Sequence, residues 1–133
     1  MLELQMRLAG TVAIALGVAH LLLPRLLGWP ADLVAASPLS RLVVGLHTGF
    51  IGLTCVVLGV LLWPVDELLA PGALAGIVLT AQTVFWGARW LCELLLVGRV
   101  VRGAPVAWRA AHVAGVAGWA WLTAVPLTAL LTR

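Results

Sequence analysis

The sequence predicts an all-α membrane protein, a transmembrane up-and-down four-helix bundle, on three observations. Of the 133 residues, 63% are hydrophobic and 10% are charged, whereas soluble globular domains carry roughly 25% charged residues. A soluble core of this length cannot hide so much apolar surface, because small domains leave a large fraction exposed. The apolar residues also gather into four stretches, 6–27, 42–63, 73–97 and 107–131, each reaching the roughly 20 residues needed to cross hydrocarbon. Finally, no ten-residue segments alternate as barrel strands do, and only helices satisfy their own backbone groups one by one in lipid. No polar run is long enough for a water-soluble domain, so residues 1–133 are read as a single integral membrane domain.

The first span is expected to stay in the mature protein. Its apolar run from Leu8 to Leu27 exceeds the roughly 7–15 residues of a signal peptide, and Glu3 opposes Arg7 at its start. Gly10, Ala13, Gly17 and His20 lie on one face of it. The first connector is rich in turn formers, among them Gly28, Pro30, Ser37 and Pro38. Asp32 or Ser40 is the candidate helix cap there, and a short interfacial helix is expected over 32–36.

In the second span, Gly45, Gly49, Gly52 and Gly59 fall on one side, with His47 and Thr54 nearly opposite. The Gly45-to-Gly49 spacing is a small-xxx-small pair, so Gly45, Gly49 and Gly52 are the candidate residues for helix packing or an oligomer contact. The connector 64–72 carries Asp66, Glu67 and Pro71. In the third span, Gln82, Trp86, Arg89 and Glu93 follow a 4-3-4 spacing and share a face. Arg89 and Glu93 are spaced for an ion pair, which costs far less in hydrocarbon than either charge alone. After the connector 98–105, His112, Gly115, Trp119 and Thr123 share a face of the fourth span. Small residues beside a polar one mark the side turned toward other helices.

The net charge of +3 comes with eight Arg and no Lys, set mostly at span ends. A nucleic-acid reader would cluster its basic residues on one face, so topology and headgroup contact are the better account. Arg25, Arg41, Arg99, Arg102 and Arg109 flank the first and third connectors, against Arg7 and Arg133 on the other side. The positive-inside rule then puts these connectors in the cytoplasm and both termini outside, in an inner (cell) membrane. Trp29, Trp63 and Trp108 fall where an aromatic belt would. Cys55 and Cys92 form no CxxC and read as small packing residues.

Four spanning helices would bring the polar residues to a common depth. His20 lies about 7–8 Å along the axis from Arg25, His47 about 9 Å from Arg41, Glu93 about 9 Å from Arg99, and His112 about 4–5 Å from Arg109. Arg89 sits about 15 Å from Arg99 and can reach back with its long side chain. Ionisable groups at such depth are costly and often functional. The candidate ligand-binding or proton-exchanging set is therefore His20, His47, Gln82, Trp86, Arg89, Glu93 and His112. Taken singly, each has a plainer role: a His bonded to a backbone carbonyl, an Arg–Glu clamp, a Gln bridging helices, a packed Trp.

Apolar walls, a few convergent polar groups and Trp rings suit a small amphipathic ligand, quinone-like or lipid-like. His20, His47, His112 and Glu93 could alternatively supply a metal, or the histidines a haem, although no HxxxH or ExxH pair fixes two ligands on one helix. The cofactor stays open among quinone, haem and metal. No nucleophile–base pair or phosphate loop occurs, so no catalytic residue is named. A further alternative is a structural or assembly subunit of a membrane complex, docking through the glycine face. The expected partners are the lipid bilayer and either a second copy or a larger complex.

The stretch Met6-Arg7-Leu8-Ala9-Gly10, continuing through Gly17-Val18-Ala19-His20-Leu21-Leu22-Leu23-Pro24 to Gly28-Trp29, resembles the opening of DoxX-like small four-helix membrane proteins. In that group an Arg-Leu start leads to Gly-x-x-His near the end of the first helix, with Pro following. The resemblance covers about the first quarter of the chain in motif and the rest in architecture. It implies a compact four-helix bundle and, through some relatives, a link to sulfur or quinone redox systems. Only His20 and Pro24 carry over by position, with no catalytic role attached.

Overall fold

Helices account for most residues in the computed structural model, which describes residues 1–133 and contains no strand. In order they are α1 (Leu2–His20), α2 (Leu23–Leu26), α3 (Trp29–Asp32), α4 (Pro38–Val60), α5 (Val65–Leu69) and α6 (Ala73–Cys92). A π-helical turn (Glu93–Val97), α7 (Gly98–Val100), a 3₁₀ turn (Val101–Gly103) and α8 (Val106–Thr132) complete the chain. Leu2–His20, Pro38–Val60 and Val106–Thr132 are long and apolar enough to cross a membrane, the mark of a membrane protein. The third expected span is not among them. Its α-helical part is 20 residues long, includes Gln82 and Arg89, and ends where the π turn begins.

The helices form two compact units, Arg7–Trp63 and, separately, Met1–Met6 with Pro64–Arg133. In the first unit, α1 stops at His20, seven residues short of the expected end at Leu27. The cause is Pro24, which has no N–H to offer the His20 carbonyl and whose ring would strike it. The last turn tightens instead, with the Leu21 and Leu22 amides donating to Val18 and Ala19 at 3.1 and 2.9 Å. Gly28 then turns the chain with φ +71°, a conformation that favours glycine, and leads into α3. The expected short helix thus occurs, earlier than 32–36. Neither Asp32 nor Ser40 caps the next helix. Ser37 does, accepting from the Ser40 amide at 3.1 Å, with Pro38 in the first turn, and α4 starts four residues before the expected Leu42.

Helices α1 and α4 meet through bare backbone. A Cβ on Gly17 would lie 2.5 Å from the Gly52 carbonyl oxygen, and one on Gly10 would lie 2.7 Å from that of Gly59. The two pairs obey a single antiparallel register. The buried residues of α4, Thr48, Gly52, Cys55 and Gly59, repeat at 4-3-4 spacing toward that seam. This corrects the packing role expected of Gly45 and Gly49. A Cβ at either would meet nothing within 4 Å. In the seam's register Gly45 falls level with Pro24, where α1 has already ended, and Gly49 is turned about 60° from Gly52.

In the second unit α6 packs on α8. Ala75, Leu79, Gln82 and Trp86 form the buried stripe of α6, and Leu122, Val125, Pro126 and Ala129 that of α8. Pro126 lies inside α8 and cannot donate to the Leu122 carbonyl. The Trp121 indole donates to Gln5 Oε1 at 2.8 Å, and Arg133 donates to the Gly72 carbonyl at 3.0 Å.

Candidate functional site: a buried carboxylate between arginine and histidine

Glu93 is the centre of the most polar region of the second unit. Its side chain is only 7% exposed, and its two oxygens serve different partners. Oε2 accepts from Arg89 Nη2 at 2.8 Å, one helical turn back, and Oε1 accepts from His112 Nδ1 on α8, also at 2.8 Å. Each acceptor is thereby met by a charged or polar donor, which lowers the cost of burying the carboxylate. With Nδ1 donating, the other imidazole nitrogen, Nε2, carries the lone pair when the ring is neutral.

Local sequence makes room for this arrangement. Glu93 begins the π turn, and such wide turns recur at functional sites. Gly98 lies beneath His112, where an added Cβ would come within 3.2 Å of Nε2. Gly115 lies beneath Glu93, where an added Cβ would meet Oε1 at 3.4 Å. Side chains at these two positions would crowd the pair they face.

Aromatic rings extend the cluster. The Arg89 guanidinium carbon sits 4.7 Å above the Trp119 ring, a cation–π contact. Trp119 stacks on Trp86 with centroids 5.7 Å apart and planes 13° from parallel. The fully buried Trp86 donates to Gln82 Oε1 at 2.9 Å, and Phe85 meets it edge-on. One turn before Glu93, the Trp90 indole N–H is buried without a hydrogen-bond partner. Arg89 is the open member of the set, its side chain 39% exposed against 18% for His112.

Gln82, Trp86, Arg89, Glu93 and His112 are therefore joined by direct contacts within one unit. The remaining two candidates belong to the other. His20 donates from Nδ1 to the Leu16 carbonyl at 2.7 Å, the plainer role that a membrane histidine can take. Its Cβ lies on the glycine seam, 3.1 Å from where a Cβ of Gly52 would be. His47 faces outward on α4. No group of three or more His, Cys, Asp or Glu side chains able to hold a metal ion is present, which leaves the metal reading without a ligand set. Sequence reasoning placed Trp119 on the right face but not under Arg89, and it missed Gly98 and the π turn. The shared face of His112, Gly115, Trp119 and Thr123 was the signal for the first, while a π turn has no comparable residue pattern.

Comparison with family models, curated proteins and solved structures finds no match.

Proposed function

We propose that the chain is a four-helix integral membrane protein whose Arg89–Glu93–His112 cluster binds the headgroup of a small amphipathic, quinone-like ligand. The third span in this reading is α6 with the π turn, its polar residues turned away from lipid. Both termini lie outside, and the arginine-rich connectors lie in the cytoplasm. The resemblance of the first span to DoxX-like proteins supports a redox-linked role.

The observation that carries the reading is the Glu93 carboxylate, buried yet tied to one exposed cation and one imidazole. A purely structural clamp has no need of a half-exposed arginine above a tryptophan ring. In this reading Arg89 donates to a ligand carbonyl and is held in place by Glu93 and Trp119. His112 Nε2 accepts a hydroxyl proton or, when the ring is charged, donates to a carbonyl. The unpartnered Trp90 N–H adds a further donor one turn away. The chain's own residues bind, orient and hold a proton, and no electron transfer is assigned to them.

The test is a titration of the purified protein in lipid nanodiscs with decyl-ubiquinone, followed by tryptophan quenching. Wild type is expected to saturate. Glu93→Gln and His112→Phe are expected to weaken binding at least tenfold, leaving the linear quenching of a dye that only partitions into lipid. Equal saturation in all three proteins would sink the reading.

A further inference from the structure

The unit Arg7–Trp63 carries a different kind of site, far along the sequence from the Glu93 cluster. Where α1 ends early, a recess of about 310 Å³ opens, lined by Pro24, Trp29, Leu33, Arg41, Val44 and Gly45. Arg41 is the one charged residue in its otherwise mostly apolar lining. Arg41 makes no ion pair, and Asp32, the nearest acid in sequence, is not in the lining. A second recess of about 220 Å³ shares Gly45 with the first and follows α4 past Leu46, Gly49, Phe50 and Leu53. Gly45 and Gly49 add no side chain to it, and a Cβ at either would meet nothing within 4 Å.

We propose that these two recesses together hold one anionic phospholipid, its phosphate on Arg41 and one acyl chain along the Gly45–Gly49 groove of α4. The dimensions agree with a single leaflet. From Arg41 to Leu53 the helix advances about 18 Å, and half of a bilayer's hydrocarbon core is about 15 Å. The chemistry changes along that path as a lipid does. A guanidinium suits phosphate, and a tryptophan suits the headgroup level. Only apolar side chains and glycine line the rest. Arg25 follows the lining residue Pro24 in sequence and adds a second positive charge to this segment, so a net negative lipid is favoured over a zwitterionic one. A quinone would leave Arg41 without its counter-charge, and a free phosphate would leave the groove unused.

The full-length protein in nanodiscs of equal phosphatidylglycerol and phosphatidylcholine, examined by native mass spectrometry, tests this. Wild type is expected to retain one phosphatidylglycerol at least tenfold over phosphatidylcholine. Arg41→Gln is expected to remove that preference, while Arg99→Gln, the same loss of charge in the other unit, keeps it. Gly49→Leu is expected to lose the sixteen-carbon lipid yet still bind its six-carbon analogue. Arg41 makes no ion pair and a Cβ at Gly49 would meet nothing within 4 Å, so both variants should keep wild-type helicity by circular dichroism. Three results would overturn the proposal: an unchanged preference in Arg41→Gln, displacement of the lipid by millimolar inorganic phosphate, or a Gly49→Leu protein that keeps its sixteen-carbon lipid.

Discussion

The two units associate their helices in opposite ways. Between α1 and α4 the closest approach is backbone to backbone, at Gly10, Gly17, Gly52 and Gly59, where an added Cβ would strike a carbonyl oxygen of the facing helix. Between α8 and α6 with its π turn, an apolar stripe continues into a polar and aromatic cluster of Glu93, Arg89, His112 and Trp119. Lipid tails are as apolar as leucine, so burial alone gives membrane helices little reason to meet. Close packing of small residues is one remedy and hydrogen bonding is another, and this chain uses one in each unit. The glycines themselves bring no reactive group to their seam. A polar seam keeps groups that can exchange protons or partners, which is why the proposed headgroup site is placed on α8 and on α6 with its π turn.

The sharpest way to break the comparison is to fill the glycine seam. Valine at Gly17 must displace the Gly52 carbonyl and Val56, and the helix pair can relieve this only by moving apart. Gly17→Val is expected to cost about 3 kcal/mol, the upper end for overpacking. Denaturant titration in detergent micelles, read by helical circular dichroism, measures it. Gly45→Val on the same α4 should change stability by less than about 0.5 kcal/mol, as a surface substitution does. Equal losses at the two positions would show that the seam is not where helix contact resides.

The polar seam should respond less steeply, because its members can move. Glu93→Leu strands the Arg89 guanidinium, but that side chain is already partly outward and can extend toward an interface. The expected loss is about 2 kcal/mol, between typical values for membrane hydrogen bonds and for a broken buried ion pair. Adding Arg89→Leu should restore more than half of it, since no charge is then left unmatched. The same double variant should fail to bind decyl-ubiquinone. Recovery of stability without binding would separate the cluster's structural part from its proposed function.

The parts of this architecture that depend on helical phase were readable from residue spacing. Gln82, Trp86, Arg89 and Glu93 were expected on one face and are found linked on one. His112, Gly115, Trp119 and Thr123 were expected together, and all four meet α6 or the π turn, Thr123 through its methyl group facing Gly87. The parts that depend on pairing were not readable. Gly45 and Gly49 have the same helical spacing as a packed pair, yet the partner helix ends before reaching Gly45. That end is set by Pro24, inside a leucine-rich run whose hydropathy continues to Leu27. Hydropathy reports what a segment tolerates around it, whereas a missing N–H decides where the helix stops. The π turn at Glu93 was hidden for a related reason, since ELLLV is an equally good α-helical sequence.

A smaller effect is expected where the polar seam meets the amino-terminal residues of its own unit. Trp121→Phe keeps an aromatic ring, though a smaller one, and removes the bond to Gln5 Oε1. A loss of about 0.6 kcal/mol, the average for such bonds in membranes, is expected in the same titration. Gln5→Leu should match it, and the double variant should add nothing further if the two side chains act as one pair.

The smallest change in stability should come from Gly98→Ala, and here the two seams differ in kind. At Gly17 an added methyl meets a carbonyl oxygen and cannot be accommodated without moving a helix. At Gly98 it meets His112 Nε2 at 3.2 Å and Cε1 at 3.4 Å, the outer edge of a ring that can tilt by a few tenths of an ångström. Alanine also gains up to about 1 kcal/mol over glycine in helix propensity, which offsets the crowding, so the net change should lie within about 0.5 kcal/mol of zero. The cost should appear instead in the bond that the ring makes on its other side. Tilting His112 lengthens the contact from Nδ1 to Glu93 Oε1, and the ¹⁵N shift of Nδ1 should move toward that of a ring without this partner. An unaltered shift together with a stability loss above 1 kcal/mol would mean that the α6–α8 contact is as rigid as the glycine seam, and the contrast between the two units would fail.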